Sequence, residues 1–306
     1  MHNRLIGWIN GRARKIIGGY WGSQGVCLAH RAPGKKPTIV YVPASNDAGA
    51  PPWEEAVIKL EALYGITRAH MALAIAISAD DVFVRSISVP VGLNEQQLEQ
   101  VAIIEAVANL PVPPEEICLD FVRGTGDGRD EAVDIAFCRR DRIDAILAEA
   151  EEIGIPVHVV DRDIQAIHDA ISESAAADGL KIEYPIGIVL TEVSPRIAIF
   201  LGPTDFEQYP IRLQLTDPEA LQTSLMAQLG SCWTRCRMSR ERVAEVLEQV
   251  FVLGNISPPA HYSQDNVGKK IDSFTINQRV EMVAANGYVP DEVLLIALGM
   301  SGRCLA

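Results

Sequence analysis

Few residues in the chain have types and spacings that could support catalysis or metal binding. Cys232 and Cys236 lie one helical turn apart and could share a metal ion, but two ligands are too few for zinc. No further Cys or His follows at a useful spacing, so we predict that both cysteines are packing residues. Residues 124–128 are rich in glycine but lack the Lys-Ser/Thr ending of a phosphate-binding loop, which indicates a hairpin turn.

The histidines and one helical carboxylate offer acid–base groups only in unfavourable positions. His158 and His168 have aspartates nearby in the sequence, but they lie across a predicted strand–helix junction, so structural roles are expected. Glu105 lies within an apolar helical run, where a carboxylate must find a partner or shift its pKa upward. We expect a structural hydrogen bond there, and we predict a protein that is not an enzyme and holds no metal.

Length and composition indicate an ordinary globular protein of two lobes or domains. The chain has 306 residues, 48% hydrophobic and 22% charged, which is enough to bury a large core. Its formal net charge of -13 disfavours nucleic acid as a partner. The apolar runs 71–77 and 293–298 are far shorter than the roughly 18 residues of a membrane-spanning helix. Because residues 1–18 also lack a signal-peptide centre, we expect a cytoplasmic protein without disulfides.

The N-terminal segment is basic although the protein as a whole is acidic. Residues 1–18 carry four Lys or Arg side chains and no acid, and Trp8 lies among them. A basic residue near an anionic lipid surface contributes about 1 kcal/mol, and an interfacial Trp adds to this. The segment is therefore either a weak membrane-surface contact or a frayed terminus.

The clearest predicted elements are a strand, a capped helix and a second strand between residues 82 and 122. Residues 82–89 are rich in β-branched and aromatic side chains, which favour a strand. Asn94 and Gln97 have the spacing of a capping box, so a helix is predicted to begin at Asn94. Three prolines then enforce an extended passage before a returning strand at 117–122.

The rest of the sequence alternates strands and helices, which indicates an α/β protein. The other predicted strands are 38–42, 70–77, 132–137, 156–160, 186–191, 196–201 and 250–253, with a hairpin over 18–29; the other predicted helices are 53–63, 140–153, 164–171, 216–236 and 291–302.

The stretch from residue 82 to 122 resembles the PilM-like proteins of type IV pilus assembly, which are actin-like and related to the division protein FtsA. The motifs that carry the resemblance are Pro90-x-Gly92-Leu93, Glu105-Ala106, Leu110-Pro111-Val112-Pro113 and Glu115-Glu116-Ile117-x-Leu119-Asp120-Phe121. The resemblance covers nearly the whole chain, densely over 82–122 and 132–171 and thinly over 181–285.

This resemblance implies an α/β, actin-like (ribonuclease H-like) fold of two lobes with a small strand-helix-strand-strand insertion subdomain. The predicted first lobe comprises residues 1–77 and 158–180. The predicted insertion subdomain comprises residues 78–157, and the second lobe residues 181–306, with a C-terminal helix able to pack back on the first lobe.

In nucleotide-binding members of the family, a hairpin in each lobe grips the phosphates and Mg²⁺. Here Tyr20 occupies the position of the first hairpin's Asp, and a phenol cannot replace a carboxylate toward Mg²⁺. Glu192 occupies a glycine position of the second hairpin, where its charge would repel phosphate. We therefore predict a pseudo-ATPase without ATP or Mg²⁺ as cofactor. The residues of this degenerate nucleotide site are Gly22, Ser23, Gln24, Gly254 and Asn255.

The resemblance implies a cytoplasmic scaffold, peripheral to the inner membrane, in a type IV or MSHA-like pilus assembly platform. Family members receive the cytoplasmic N-terminal peptide of a single-span membrane partner between the insertion subdomain and the first lobe. The predicted groove residues are Phe83, Arg85, Ile103, Val107 and Phe121.

Two alternatives remain open at this point. One is an ATP-binding actin-like switch of the same fold. The other is the cytoplasmic component of a type II secretion platform, whose relatives usually continue into a transmembrane helix.

Overall fold

The computed structural model describes residues 14–22, 24–32, 35–44, 52–124, 130–177, 179, 181–182, 184, 186–190, 195–203, 206–210, 250–253, 271–273, 281–284 and 290–302. Within them the chain forms three β-sheets and five α-helices. Among the described helices, none has the length and apolar character needed to cross a bilayer.

Strands and helices follow one another along the described part of the chain. The strands are β1 (Lys15–Gly22), β2 (Gly25–His30), β3 (Thr38–Pro43), β4 (Met71–Ile77), β5 (Val82–Pro90), β6 (Ile117–Arg123), β7 (Asp130–Arg139), β8 (Val157–Arg162), β9 (Ile186–Leu190), β10 (Arg196–Phe200), β11 (Phe206–Pro210), β12 (Val250–Leu253), β13 (Ile271–Ser273) and β14 (Glu281–Ala284). The helices are α1 (Trp53–Tyr64), α2 (Glu95–Asn109), α3 (Arg140–Glu152), α4 (Asp163–Ala177) and α5 (Asp291–Ser301).

The first sheet has six strands in the order β14-β3-β2-β1-β4-β8. The first three strands of the chain form an antiparallel meander, and β4 and β8 extend the sheet in parallel to β1. All seven residues of β4 are apolar and buried, which is typical of a strand covered on both faces. Its residues alternate between two cores: Leu73 and Ile75 pack with α1, while Ala74 and Ala76 pack with α4 and α5.

The second sheet has five strands in the order β11-β10-β9-β12-β13. Its first three strands also form an antiparallel meander, and β12 and β13 extend it in parallel. All residues of β9 and β10 are buried. The five strands of this sheet therefore repeat the order and the directions of β3-β2-β1-β4-β8.

The third sheet is small and antiparallel, with the order β5-β7-β6, and α2 packs on one of its faces. In sequence it lies between β4 and β8, so it interrupts the first sheet. The predicted capping box is present: the Asn94 amide donates to Gln97 Oε1 and the Gln97 amide donates to Asn94 Oδ1, both at 2.9 Å. This reciprocal pair explains why α2 begins where the sequence predicts.

The C-terminal helix α5 packs on β1 and on α4 at unusually short range. A Cβ atom placed on Gly18 of β1 would lie 2.0 Å from the carbonyl oxygen of Ala297, and one placed on Gly299 would lie 1.9 Å from that of Ala166. Only glycine fits at either position. Arg31 holds the end of the helix, since it donates to the Leu298 carbonyl at 2.9 Å.

The last part of the chain returns to the first sheet. β14 pairs in parallel with β3, and α5 lies against β1, β2 and β4. The predicted boundaries 1–77 with 158–180, 78–157 and 181–306 stay a prediction. The predicted helix 216–236, with Cys232 and Cys236, lies outside the described residues.

Candidate functional site

A cavity of about 160 Å³ lies where the small sheet meets the two larger ones. The residues that line it are Ala79, Val82, Val84, Arg162, Phe206 and Gln208. They come from the segment before β5, from β5 itself, from the end of β8 and from β11. All three sheets therefore contribute to one concave surface.

The wall of the cavity is held by stacked side chains. The Arg162 guanidinium carbon lies 4.3 Å from the centre of the Phe206 ring, a cation–π arrangement. Phe206 in turn packs on Phe200 with ring centres 4.8 Å apart, and Phe200 stacks on His168 of α4 at 4.3 Å. This aromatic series joins β8, β11, β10 and α4, so the cavity wall is anchored on both larger sheets.

The other side of the cavity is an outermost strand. In the described part of the chain, β5 lies at the edge of the small sheet and β11 at the edge of the second sheet. Phe83 and Val84 of β5 are 40% and 45% exposed, so this edge presents apolar side chains to solvent. An outermost strand with an adjoining cavity is suited to an extended peptide, which adds main-chain hydrogen bonds and inserts alternate side chains.

Three of the five predicted groove residues share one face of the small sheet. Arg85 lies opposite Ile135 of β7, which lies opposite Phe121 of β6, and Phe83 lies opposite Phe137 in the neighbouring row. The Phe83 and Phe137 rings stack with centres 5.4 Å apart. Since successive strand residues point to opposite faces, this is the face turned away from the cavity residues Val82 and Val84.

The other two predicted groove residues lie on α2. The buried row of this helix is Leu98, Ala102 and Ala106, and helical spacing places Ile103 and Val107 together on one flank of that row. Val107 is 36% exposed. The structure thus brings Phe83, Arg85 and Phe121 together under α2, and Ile103 and Val107 together on its flank.

The first hairpin, where a degenerate nucleotide site is predicted, is described in part. Tyr20 is buried, and its ring covers Gly22 so closely that a Cβ there would lie 2.3 Å from the phenol oxygen. Burial, together with the negative charges of Asp163 and Glu292, raises the pKa of Tyr20 to about 12, so it is a neutral phenol near pH 7. The Gln24 carbonyl accepts a hydrogen bond from Tyr41 at 2.6 Å.

The remaining nucleotide-site residues cannot be placed. Ser23, Glu192, Gly254 and Asn255 lie outside the described residues.

Comparison with known proteins shows which family part of the chain is similar to. Residues 55–181 match the family described as type IV pilus assembly protein PilM. Over these residues the chain is similar to the PilM family. The matched stretch runs from α1 into the segment after α4 and contains the whole of the small sheet.

Two solved structures share the fold. One is titled a PilM–PilN type IV pilus biogenesis complex; it is 16% identical, with a TM-score of 0.59 over 95% of this chain and 98% of that chain. The other is the cytoplasmic domain of EpsL, an inner-membrane component of the type II secretion system of Vibrio cholerae. It is 14% identical, with a TM-score of 0.51 over 94% of each chain. The predicted actin-like α/β fold is confirmed.

The acid–base residues of this PilM-like chain have structural partners. His168 is buried, with Nδ1 3.1 Å from Asp169 Oδ1 and Nε2 2.9 Å from the Tyr184 hydroxyl. Glu105 accepts a hydrogen bond from Asn109 Nδ2 at 3.0 Å. Sequence reasoning missed the cavity, because its lining comes from three separate parts of the chain and β11 was not predicted.

Proposed function

We propose that this PilM-like chain is a cytoplasmic scaffold, peripheral to the inner membrane, in an MSHA-like type IV pilus assembly platform. In this role it holds the cytoplasmic N-terminal peptide of a single-span membrane partner along β5. The observation that carries the proposal is the cavity beside this outermost strand. The fold shared with a structure titled as a complex of PilM with PilN supports a binding role of this kind.

Charge favours such a peptide. Cytoplasmic segments next to membrane spans carry an excess of Lys and Arg. This protein has a formal net charge of -13, and the 60% exposed side chain of Asp80 adjoins the cavity residue Ala79. The negative charge of the whole protein would therefore attract a basic peptide.

Two faces of β5 could receive the peptide's side chains. The cavity face presents Val82 and Val84, whereas the predicted groove of Phe83, Arg85, Ile103, Val107 and Phe121 adjoins the opposite face and α2. We favour the cavity face, because it is concave and its wall is supported by the Arg162–Phe206 stack. The predicted groove stays a prediction that the same experiment tests.

The test uses a fluorescein-labelled peptide with the sequence of the cytoplasmic N-terminal segment of a single-span pilus assembly protein from the same organism. Fluorescence anisotropy with the whole chain should give saturable binding of modest affinity, because the peptide must be ordered on binding. Val84→Lys should weaken binding by about tenfold or more, since a long cationic side chain would fill the cavity and repel a basic peptide.

Val107→Asp probes the predicted groove, and Glu149→Lys on α3 is the control, because Glu149 neither lines the cavity nor belongs to the predicted groove. Loss of binding in Val107→Asp alone would move the peptide to the α2 face. Absence of binding to the wild-type chain, or loss in Glu149→Lys alone, would contradict the proposal.

A type II secretion platform is the alternative supported by an observation, because the cytoplasmic domain of EpsL shares the fold at similar coverage. The same assay separates the two. A peptide from a secretion-system membrane protein that binds at least as tightly as the pilus peptide would favour the alternative.

A further inference from the structure

A buried arginine of the second sheet contacts the segment where the chain leaves the first sheet for the small one. Arg196 is the first residue of β10, and its side chain is 3% exposed. Nη2 donates to Asp163 Oδ2 in a buried ion pair, and Nη1 lies 3.5 Å from both Ser78 Oγ and Asp80 Oδ2. Ser78 and Asp80 belong to residues 78–81, which join β4 to β5 and are here called the root.

The carboxylate of Asp163 contacts the root as well. Asp163 is the first residue of α4, and its Oδ1 accepts from the Ala79 amide at 2.9 Å and from the Ile164 amide at 2.6 Å. Burial raises the pKa of Asp163, and the Arg196 guanidinium and these two amides oppose that rise. One carboxylate thus bonds the second sheet through one oxygen and the root through the other.

A second contact from the same sheet supports this arrangement. Gln208 of β11 donates to Asp80 Oδ1 at 3.2 Å. Gln208 and Ala79 also line the cavity, so the polar contacts and the cavity share residues. We call the group Arg196, Asp163, Ser78, Asp80 and Gln208 the Arg196 clasp.

We propose that the Arg196 clasp fixes the orientation of the small sheet relative to the two larger sheets, so that a displacement of the second sheet is transmitted to β5. The root is a short connection between β4 and β5, and a short connection without tertiary contacts allows rotation. A buried guanidinium–carboxylate pair with further hydrogen bonds has a narrow range of favourable geometries. Arg196 and Asp163 are thus positioning residues for β5 and for the cavity that it borders. This inference concerns the chain alone and does not depend on a bound peptide.

The test is amide hydrogen exchange followed by mass spectrometry on Arg196→Gln and on the wild-type chain at the same pH. The variant leaves Asp163 buried without its charge partner, so the root should open more often. Peptides covering 78–84 and 206–210 should exchange about tenfold faster or more, since breaking a buried pair changes a local equilibrium by at least that factor. Peptides within β1 and β4 should keep their rates.

Arg142→Gln is the matched control. Arg142 of α3 forms an ion pair with Asp81 of the same root, with Nε 3.4 Å from Oδ1, but this pair is exposed. The variant should leave all rates unchanged. Asp80→Asn is the milder variant in case Arg196→Gln does not fold, and it should speed exchange in the same two peptides by a smaller factor.

Unchanged exchange at 78–84 in Asp80→Asn, or equal acceleration in every peptide of Arg196→Gln, would overturn the inference. Equal effects of Arg142→Gln and Asp80→Asn would do so too.

Discussion

The first and second sheets have the same five-strand plan but carry different chemistry on it. In each, an antiparallel meander is followed by two parallel strands. In the first sheet the parallel strands β4 and β8 are separated by residues 78–156, which build the small sheet; in the second sheet β12 and β13 are separated only by residues 254–270. The repeated plan provides the fold, whereas the interruption of the first copy provides the surface that we propose binds a partner.

The first hairpins of the two copies differ as well. β1 carries Gly18, which admits α5, and Tyr20, which covers Gly22. In the second copy β9 is apolar throughout, and β10 is apolar except for its first residue, Arg196 of the clasp. The two sheets thus share one strand order, but single residues such as Gly18 and Arg196 on the equivalent strands determine which other elements each sheet contacts.

The largest expected effect comes from Gly18→Ala in β1. The added Cβ would lie 2.0 Å from the Ala297 carbonyl oxygen, so the backbone of α5 must move. Overpacking of this kind costs about 3 kcal/mol or more of unfolding free energy. Gly19→Ala is the control, because its Cβ would meet Trp53 at an ordinary 3.5 Å, and it should cost less than about 1 kcal/mol. Similar urea midpoints for the two variants would show that the close packing of α5 on Gly18 contributes little to the stability of the first sheet.

The second prediction concerns how the unfolding free energy depends on the protonation of Tyr20 in the first hairpin. Its pKa is raised from 10.0 to about 12, so the folded state holds the phenol proton more tightly than the unfolded state. The contribution of this proton to the unfolding free energy is fully present below pH 10 and is lost as the pH rises from 10 to about 12. Over that window the loss amounts to about 2 kcal/mol.

Tyr20→Phe lacks this titration, so its unfolding free energy should fall less than that of the wild type between pH 9 and pH 11.5. Chemical denaturation at several pH values measures it. Parallel curves for the two proteins would mean that Tyr20 is solvated in the folded state.

A smaller effect is expected in the small sheet and its helix α2, which interrupt the first sheet. Asn94→Ala removes the cap of α2 and should lower the unfolding free energy by about 0.5–2 kcal/mol. Gln96→Ala, at an exposed position of the same turn, should cost little. Equal melting temperatures for the two variants would contradict the capping role of Asn94. They would also contradict the view that residues close in sequence determine where α2 begins.

The smallest expected effect is that of Mg-ATP, for which calorimetry should detect no binding. Tyr20 covers Gly22 in the first hairpin, and each lost charge-assisted hydrogen bond weakens binding by about 1.5–3 kcal/mol. A dissociation constant below about 1 mM would restore the ATP-dependent switch as a candidate function.

The sequence predicts those parts of the fold whose causes are local. The Asn94–Gln97 capping box, the apolar strand β4 and the helix α5 follow from neighbouring residues, and each is present close to its predicted bounds. β11, β13 and β14 were not predicted, because they are short or lack strict alternation and form through pairing with distant strands.

The candidate site is less predictable for the same reason. The Arg196–Asp163 pair and the Arg162–Phe206 stack join residues far apart in sequence, and no periodic pattern relates them. The predicted groove residues depended on family resemblance, which located the small sheet but not the face of β5 that borders a cavity.

The pairing of β14 with β3 has a consequence for how the protein is made. The first sheet gains an edge strand, and its β1 gains the covering helix α5, only from the last part of the chain. On the ribosome, β1 to β4 therefore emerge long before the segments that cover them, and contacts of such high sequence separation form slowly. Nascent chains should expose an apolar surface over Gly18 and Ala74 until synthesis is nearly finished, which makes this protein a candidate for chaperone assistance during translation.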